Sequence, residues 1–144
     1  MTDATAQDRI RMTVAEARAL GEAAMRGAGH DDADARILAD HVLDAALCGY
    51  EYSGLPKLLN VVDAAEFQRP RRPVSVVRET AASVLLDGGN TTGMVAAYRA
   101  AEATIRCASV NGLAIVCLGN TWMTGRSAYY CEMVARAGLV VIRT

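Results

Sequence analysis

Apolar positions through the first half of the chain recur every three or four residues, which is the spacing of amphipathic helices. Thr13–Glu16 places a hydroxyl and, three residues later, a carboxylate where a capping box requires them, and Gly27–Gly29 ends the apolar run that follows. Asp31 or Asp32 can cap a second run, which Gly49 ends. The pattern therefore predicts two capped helices before residue 50.

A polar link broken by glycine, Cys48–Lys57, separates these helices from the rest of the chain. Pro56 is tolerated in the first turn of a third helix, which the break at Arg69–Pro73 ends. The later elements are predicted, in order, as strands Val74–Glu79 and Ser83–Asp87, a helix over about Thr92–Val110, strand Leu113–Leu118, a helix over about Gly125–Arg136 and strand Leu139–Ile142. Their alternation predicts parallel strands with right-handed crossovers, and Leu113–Leu118 is typical of a strand buried on both faces.

The element order divides the chain near Gln68–Pro73. We expect an all-α N-terminal unit at residues 1–70, followed by the start of a mixed or parallel α/β domain at residues 74–144. A doubly wound sheet would normally continue beyond a buried strand such as Leu139–Ile142, but the sequence ends at Thr144. We therefore expect the rest of the α/β domain to come from further residues or from a second polypeptide.

Composition narrows the classes of partner. The 144 residues are 52% hydrophobic with a formal net charge of -1, and the charges are interspersed, which favours neither nucleic acid nor a membrane surface as partner. Apolar runs are far shorter than the roughly 20 residues of a bilayer span. Because Met1–Arg11 is polar and lacks the apolar core of a signal peptide, we expect a cytoplasmic protein.

The cysteines show no spacing that indicates metal or redox chemistry. They are predicted to be free and mostly buried, with neither a disulfide framework nor a zinc site, and no metal ligand is predicted elsewhere. The four positions are Cys48, Cys107, Cys117 and Cys131.

Several local sequences resemble the malate/L-lactate dehydrogenase family of NAD(P)H-dependent 2-oxoacid reductases. The matching pieces are the two N-terminal helices, Leu86–Asn90 with Gly93, the helix containing Tyr98–Ala100, and Ser127–Met133 leading to Ala137–Gly138. That family also includes ureidoglycolate, sulfolactate and diketogulonate dehydrogenases and cyclic ketimine reductases. The resemblance implies a nucleotide-binding α/β domain that differs from a standard Rossmann fold, and a homodimer with its active site between domains and subunits.

The family's first motif, Asp-Ser-His-Gly with an Arg four residues after the His, aligns with Glu51–Gly54 and Lys57. In the family that His donates a proton to the substrate carbonyl and the Arg binds a carboxylate or the cofactor. Ser53 stands at the His position, and a hydroxyl cannot replace an imidazole as proton donor at neutral pH. The resemblance makes Ser53, Lys57 and Tyr52 candidate catalytic residues. Ser53 could instead cap the third helix, Lys57 could be solvated, and Tyr50 and Tyr52 could simply pack.

The second motif, Ser-Asn-His-Phe-Gly, aligns with Thr121–Gly125, so its His is replaced by Met123. The resemblance makes this stretch a candidate binding site for NADH or NADPH, with five residues: Asn120, Thr121, Met123, Thr124 and Gly125. Helix capping explains the two threonines equally well. Trp122 and Met123 are interpreted as a pocket wall or an interface. Gly88–Gly89 favours a turn over a phosphate cradle.

Two functions remain open on the sequence. The first is an NAD(P)H-dependent oxidoreductase acting on a 2-oxo or 2-imino acid. An iminium substrate is already protonated, so loss of the His would harm a ketimine reductase less than a keto-acid reductase. The alternative is a family scaffold turned to a non-redox reaction, or a subunit or fragment completed by a second polypeptide.

Overall fold

The computed structural model describes residues 10–144, so all but the last two residues of the polar stretch Met1–Arg11 lie outside it. The helices are α1 (Val14–Gly27), α2 (Asp32–Leu47), α3 (Lys57–Asp63), α4 (Gly93–Asn111) and α5 (Ser127–Arg136), with a 3-10 turn at Glu51–Ser53. The strands are β1 (Ser75–Glu79), β2 (Ser83–Asp87) and β3 (Ile115–Gly119). None of the helices between residues 10 and 144 has the length and apolar character that a bilayer span requires.

The first two helices begin at the caps that the sequence predicts. The Thr13 amide donates to Glu16 Oε2 at 2.8 Å while the Glu16 amide donates to Thr13 Oγ1 at 3.2 Å, which completes the capping box of α1. Asp31 Oδ1 accepts from the Asp34 amide at 2.8 Å and caps α2. The two helices pack side by side, joined at their surface by an ion pair between Arg18 and Asp40.

The main apolar core lies between α1, α2, α3 and the start of α4. Its buried members are Met25, Ala35, Ile37, Leu38, Val42, Leu58, Val61, Met94 and Val95. Met94 and Val95 belong to α4, so the first turn of that helix shares a core with the N-terminal helices. The division of the chain into units 1–70 and 74–144 stays a prediction.

The sheet is mixed and has the order β1-β2-β3. β1 and β2 are antiparallel, whereas β2 and β3 are parallel and are joined through α4, as the alternation of elements predicts. On the face that α4 covers, Val84 and Leu86 are buried with Cys107. Leu85 and Ile115 on the opposite face are 42% and 60% exposed. The expectation that the third strand is buried on both faces is therefore wrong for the described residues, since their helices cover only one face.

Two predicted elements differ from the structure. α3 ends at Asp63 because Ala64 takes an extended conformation and the chain turns so that Phe67 packs against the main core. Leu139–Ile142 forms no strand within the described chain. No described strand hydrogen-bonds to this segment. Its side chains still alternate: Val140 and Ile142 are 98% and 91% exposed, whereas Leu139 and Val141 pack beside α4 and α5.

All four cysteines are free, as predicted, but only one of them is buried. Cys107 lies in the core under the sheet, whereas Cys48 and Cys117 are exposed and Cys131 is half-buried. Cys117 is exposed because it points to the uncovered face of β3. The prediction of buried thiols therefore holds only for Cys107.

Candidate functional site

Two loops meet at the carboxyl edge of the parallel strands. We call residues 88–92, after β2, the first edge loop, and residues 120–126, after β3, the second edge loop. The Asn90 amide donates to the Asn120 carbonyl at 2.9 Å, and Thr121 Oγ1 donates to the Thr91 carbonyl at 2.7 Å. Trp122 Nε1 donates to the Asn90 carbonyl at 3.1 Å. Open α/β sheets bind ligands at this edge, so the joined loops form the candidate site.

Asp87, at the end of β2, holds the two loops together from the side. Its carboxylate accepts from the Gly89 amide at 2.9 Å, from Asn120 Nδ2 at 2.7 Å and from Arg72 Nη2 at 3.1 Å. The hydrogen bond from Gly89, followed by that from Asn120, lowers the pKa of Asp87. The carboxylate is therefore ionised at neutral pH, and the side-chain amide of Asn120 serves the loop rather than a ligand.

The first edge loop forms a turn, as the sequence predicts. Its amides from Gly88 to Thr91 donate to the Gly119 carbonyl, the Asp87 carboxylate, the Asn120 carbonyl and the Gly88 carbonyl. A phosphate would have to compete with these bonds for the same donors. The loop is also closely packed, since a Cβ added to Gly88 would lie 2.9 Å from both the Asn120 carbonyl oxygen and Thr121 Cβ.

The second edge loop has an unusual backbone. Asn120 and Met123 both have a φ of 52°, and Gly125 has a φ of 68°. A non-glycine residue in this region costs on the order of 1–3 kcal/mol, which surrounding contacts must offset. The bonds to the first edge loop supply such contacts on one side, and Tyr130, whose hydroxyl donates to the Thr124 carbonyl at 2.6 Å, supplies another.

His41, in the middle of α2, contacts the end of the second edge loop. Its Nε2 atom accepts from the Arg126 amide at 2.9 Å, and its ring lies 4.8 Å from the ring of Tyr129 and 5.4 Å from that of Tyr130. The side chain is buried. Burial, and next to it the charge of Arg126, lowers the pKa of His41 to about 4, so the imidazole is neutral at physiological pH.

Arg126 ties the same loop to α2 and α5 through its side chain. The guanidinium donates to Asp44 Oδ2 at 2.8 Å, to Glu132 Oε1 at 2.6 Å and to Cys48 Sγ at 3.2 Å. Neither Arg126 nor His41 is predicted from the sequence as part of the site. The available signal was weak: His41 and Asp44 lie three residues apart on α2 and hence on one face of the helix.

The predicted catalytic residues lie in the polar link, away from these loop contacts. Tyr52 is 75% exposed and Tyr50 is 48% exposed, so the packing interpretation of the tyrosines is wrong. The centroids of the two rings lie 6.3 Å apart, with Tyr52 in the 3-10 turn and Tyr50 just before it. Ser53 is half-buried and Lys57 begins α3. The N-cap of α3 is Pro56 and no side chain caps it, so Ser53 does not have the capping role.

The predicted cofactor-binding residues all lie in the second edge loop, but with different roles. Asn120 and Thr121 use their side chains to join the loops. Neither Thr121 nor Thr124 caps α5, whose N-cap residue is Arg126 and has no side-chain cap, so the capping interpretation is wrong. Trp122 and Met123 pack partly against the main core, while Thr124 is half-buried and Gly125 is exposed.

A cavity of about 290 Å³ lies beside the second edge loop. Thr121 and Thr124 line it together with Tyr130 and Arg143, whose guanidinium lies 4.7 Å from the Tyr130 ring. A larger cavity of about 780 Å³ lies elsewhere, between the start of α2, α4 and residues 71–76. Within residues 10–144, no three His, Cys, Asp or Glu side chains are grouped where they could hold a metal ion.

The structure brings only part of the predicted site together. The contact from Arg126 to Cys48 joins the second edge loop to the start of the polar link. Among the described residues, no hydrogen bond or ion pair joins Ser53 or Lys57 to that loop.

Comparison with known proteins gives a consistent result. Residues 12–144 match the family model described as malate/L-lactate dehydrogenase. Hydroxycarboxylate dehydrogenase B of Escherichia coli (strain K12) is 32% identical over 123 residues, which make up 84% of this chain and 34% of that protein. Malate dehydrogenase of Pyrococcus abyssi is 33% identical over 118 residues, 79% of this chain and 32% of that protein. The chain thus spans about a third of the length of these relatives.

A solved structure shows the same architecture. Malate dehydrogenase from Pyrococcus horikoshii superposes with a TM-score of 0.82 at 28% sequence identity, covering 90% of this chain and 38% of that one. The mixed α/β class expected from the sequence is confirmed, with five helices and a three-stranded mixed sheet among the described residues.

Proposed function

The chain belongs to the malate/L-lactate dehydrogenase family, and from this premise we propose that the protein is an oxidoreductase that uses NADH or NADPH to reduce a 2-oxo or 2-imino acid. The names of the two relatives support the substrate class, since malate is a 2-hydroxy acid and hydroxycarboxylates include 2-hydroxy acids. The proposal includes a homo-oligomer, a second chain that supplies the rest of the α/β domain, or both.

The joined edge loops are the observation that carries the proposal. They lie where open α/β sheets bind ligands, and polar contacts join the second edge loop to its neighbours. Asn120 and Thr121 would act by fixing the loop, while Met123, Thr124 and Gly125 would contact the cofactor. When bound, the nicotinamide would supply the hydride. The residues fit this role without a phosphate cradle in the first edge loop.

The positions of the two histidines favour an imino acid over a keto acid as substrate. His41 is buried and its Nε2 atom already accepts a hydrogen bond, while His30 faces the larger cavity and Phe67. Neither imidazole is placed to donate a proton at the edge loops. An iminium substrate carries its proton already, so Lys57 would need only to bind its carboxylate and Ser53 or Tyr52 to orient it.

A second candidate function is a non-redox role on the same scaffold. The observation in its favour is that both positions of the family's motif histidines have changed, to Ser53 and Met123. A protein on this scaffold that no longer catalyses a redox reaction would not require either histidine. It would have no reason to keep nicotinamide affinity.

The test is a titration of the full-length protein with NADH and NADPH, followed by turnover with a 2-oxo acid and with a cyclic 2-imino acid. We expect saturable binding and faster reduction of the imino acid. Lys57→Gln should raise KM for the acid by about tenfold, the equivalent of one charge-assisted hydrogen bond, and Lys57→Arg should restore it. Absence of saturable binding of either nicotinamide would sink the redox proposal and favour the second candidate.

A further inference from the structure

His41 holds an unusual position for a polar side chain. It lies in the middle of α2, is 2% exposed and is surrounded by α5 and the second edge loop. Its one hydrogen bond crosses to a different element, from the Arg126 amide to Nε2. Arg126 is the N-cap residue of α5, and no side chain caps that helix. The imidazole therefore accepts from a backbone donor at a helix start that lacks the usual capping side chain.

This arrangement has an energetic cost that packing does not explain. Because Nε2 accepts, Nδ1 carries the proton, and Nδ1 is buried without a hydrogen-bond partner among the described residues. A leucine would fill similar space without burying an unpaired polar group. The property that an imidazole adds at this position is an acceptor for Arg126.

The second edge loop also rests on the imidazole ring. A Cβ built on Gly125 would overlap Nε2 of His41, so the loop approaches the ring as closely as glycine allows. Asp44, on the next turn of α2, holds the guanidinium of Arg126 at 2.8 Å. His41 thus binds the backbone of Arg126, and Asp44 binds its side chain.

We propose that His41 is a positioning residue, whose Nε2 atom fixes the start of α5 and with it the second edge loop on which nicotinamide binding depends. The inference rests on the proposed function for its effect on binding, but the positioning itself does not require redox activity. His41 touches no reacting atom. It acts by holding Met123, Thr124 and Gly125 in one place, and Asp44 supports it through Arg126.

Trp122 provides a direct readout, because it lies in the loop and is the one tryptophan of the 144 residues. We would compare wild type, His41→Leu and His41→Gln in the full-length protein, with Trp122→Phe to define background fluorescence. In His41→Leu we expect a red shift of Trp122 emission and a roughly tenfold rise in the Kd of NADH or NADPH, the equivalent of one hydrogen bond. KM for the nicotinamide should rise by more than kcat falls.

The glutamine variant separates positioning from packing. Its side-chain carbonyl can accept from the Arg126 amide, so emission and Kd should return to within about threefold of wild type. Asp44→Asn should move both readouts in the same direction by less, whereas Asp40→Asn, one turn earlier on α2 and paired with Arg18, should move neither.

Unchanged emission in folded His41→Leu overturns the proposal, as does a glutamine variant that behaves like the leucine variant. If His41→Leu does not fold, the comparison of Asp44→Asn with Asp40→Asn tests the proposal instead. Equal Trp122 emission and equal nicotinamide Kd in these two variants would overturn the proposal. If wild type binds no nicotinamide, the proposed function fails, but the emission comparison still decides whether His41 positions the loop.

Discussion

The second edge loop and the polar link at residues 48–57 both align with family motifs that have lost a histidine, yet their structures are opposite. The loop is joined to its neighbours through Asn120, Thr121 and Trp122, and its backbone is held in a rarely populated conformation. The link carries Tyr52 and Ser53 on a short, largely exposed 3-10 turn without a cap. The loop is held by contacts within the protein, whereas the link exposes the side chain of Tyr52.

Because of this difference, we expect mutations in the two regions to affect stability and function differently. A change in the loop must disturb contacts that fix the backbone, so it should alter stability and ligand binding together. A change in the link removes a side chain that few described contacts hold, so it should alter function with little effect on stability. Measuring both quantities for each variant separates the two regions.

The largest effect is expected where α4 meets the second edge loop. In Gly93→Ala, the new Cβ meets Thr124 Cγ2 at 2.7 Å and the Trp122 carbonyl oxygen at 2.8 Å. The second edge loop cannot move away without losing its bonds to the first edge loop. We expect a loss of about 4 kcal/mol in the free energy of unfolding, measured by urea denaturation. Gly112→Ala at the other end of α4 has open space and should cost only about 1 kcal/mol for its φ of 77°. Similar losses in both variants would mean that the edge loops are loosely joined.

Acid should weaken the loop through His41. Burial and the positive charges of Arg126 and Arg143 lower its folded-state pKa to about 4, against an ordinary value of 6.5. The unfolded chain therefore takes up a proton first as the pH falls, and stability is lost progressively between about pH 6.5 and 4, by up to about 3 kcal/mol. Denaturation at several pH values should show this slope in wild type, and His41→Gln should remove it. A slope that persists in His41→Gln would assign it to another group, such as His30, whose pKa is also lowered by burial.

A smaller effect is expected at the bond between the two loops. Thr121→Val keeps the shape of the side chain but removes the donor to the Thr91 carbonyl, 2.7 Å away. We expect a loss of about 1 kcal/mol in the free energy of unfolding and a weaker nicotinamide affinity. Thr80→Val is a matched control, since its hydroxyl serves an exposed turn with Ser83 and should leave nicotinamide affinity unchanged.

The sequence predicts the elements of this fold well where the signals are local. The capping box at Thr13–Glu16 and the apolar spacing of α2 depend on neighbours a few residues away, and both are confirmed. Leu139–Ile142 has the composition of a buried strand, but strand formation needs a partner, and no described strand pairs with it. The same limit applies to the site. The contact between His41 and Arg126 spans 85 residues, so the local pattern on α2 does not reveal the partner of His41.

The smallest effect on stability is expected in the polar link. Ser53 neither caps α3 nor packs in the core, so Ser53→Ala should change the free energy of unfolding by less than about 0.5 kcal/mol. If the hydroxyl orients the substrate, the same variant should still raise KM for the acid severalfold while the Kd of the nicotinamide stays unchanged. Urea denaturation and steady-state kinetics on one preparation provide both values. A variant that loses stability would place Ser53 with the second edge loop as a structural residue. If Ser53→Ala changes neither the free energy of unfolding nor KM for the acid, the Ser53 hydroxyl has no part in the reaction.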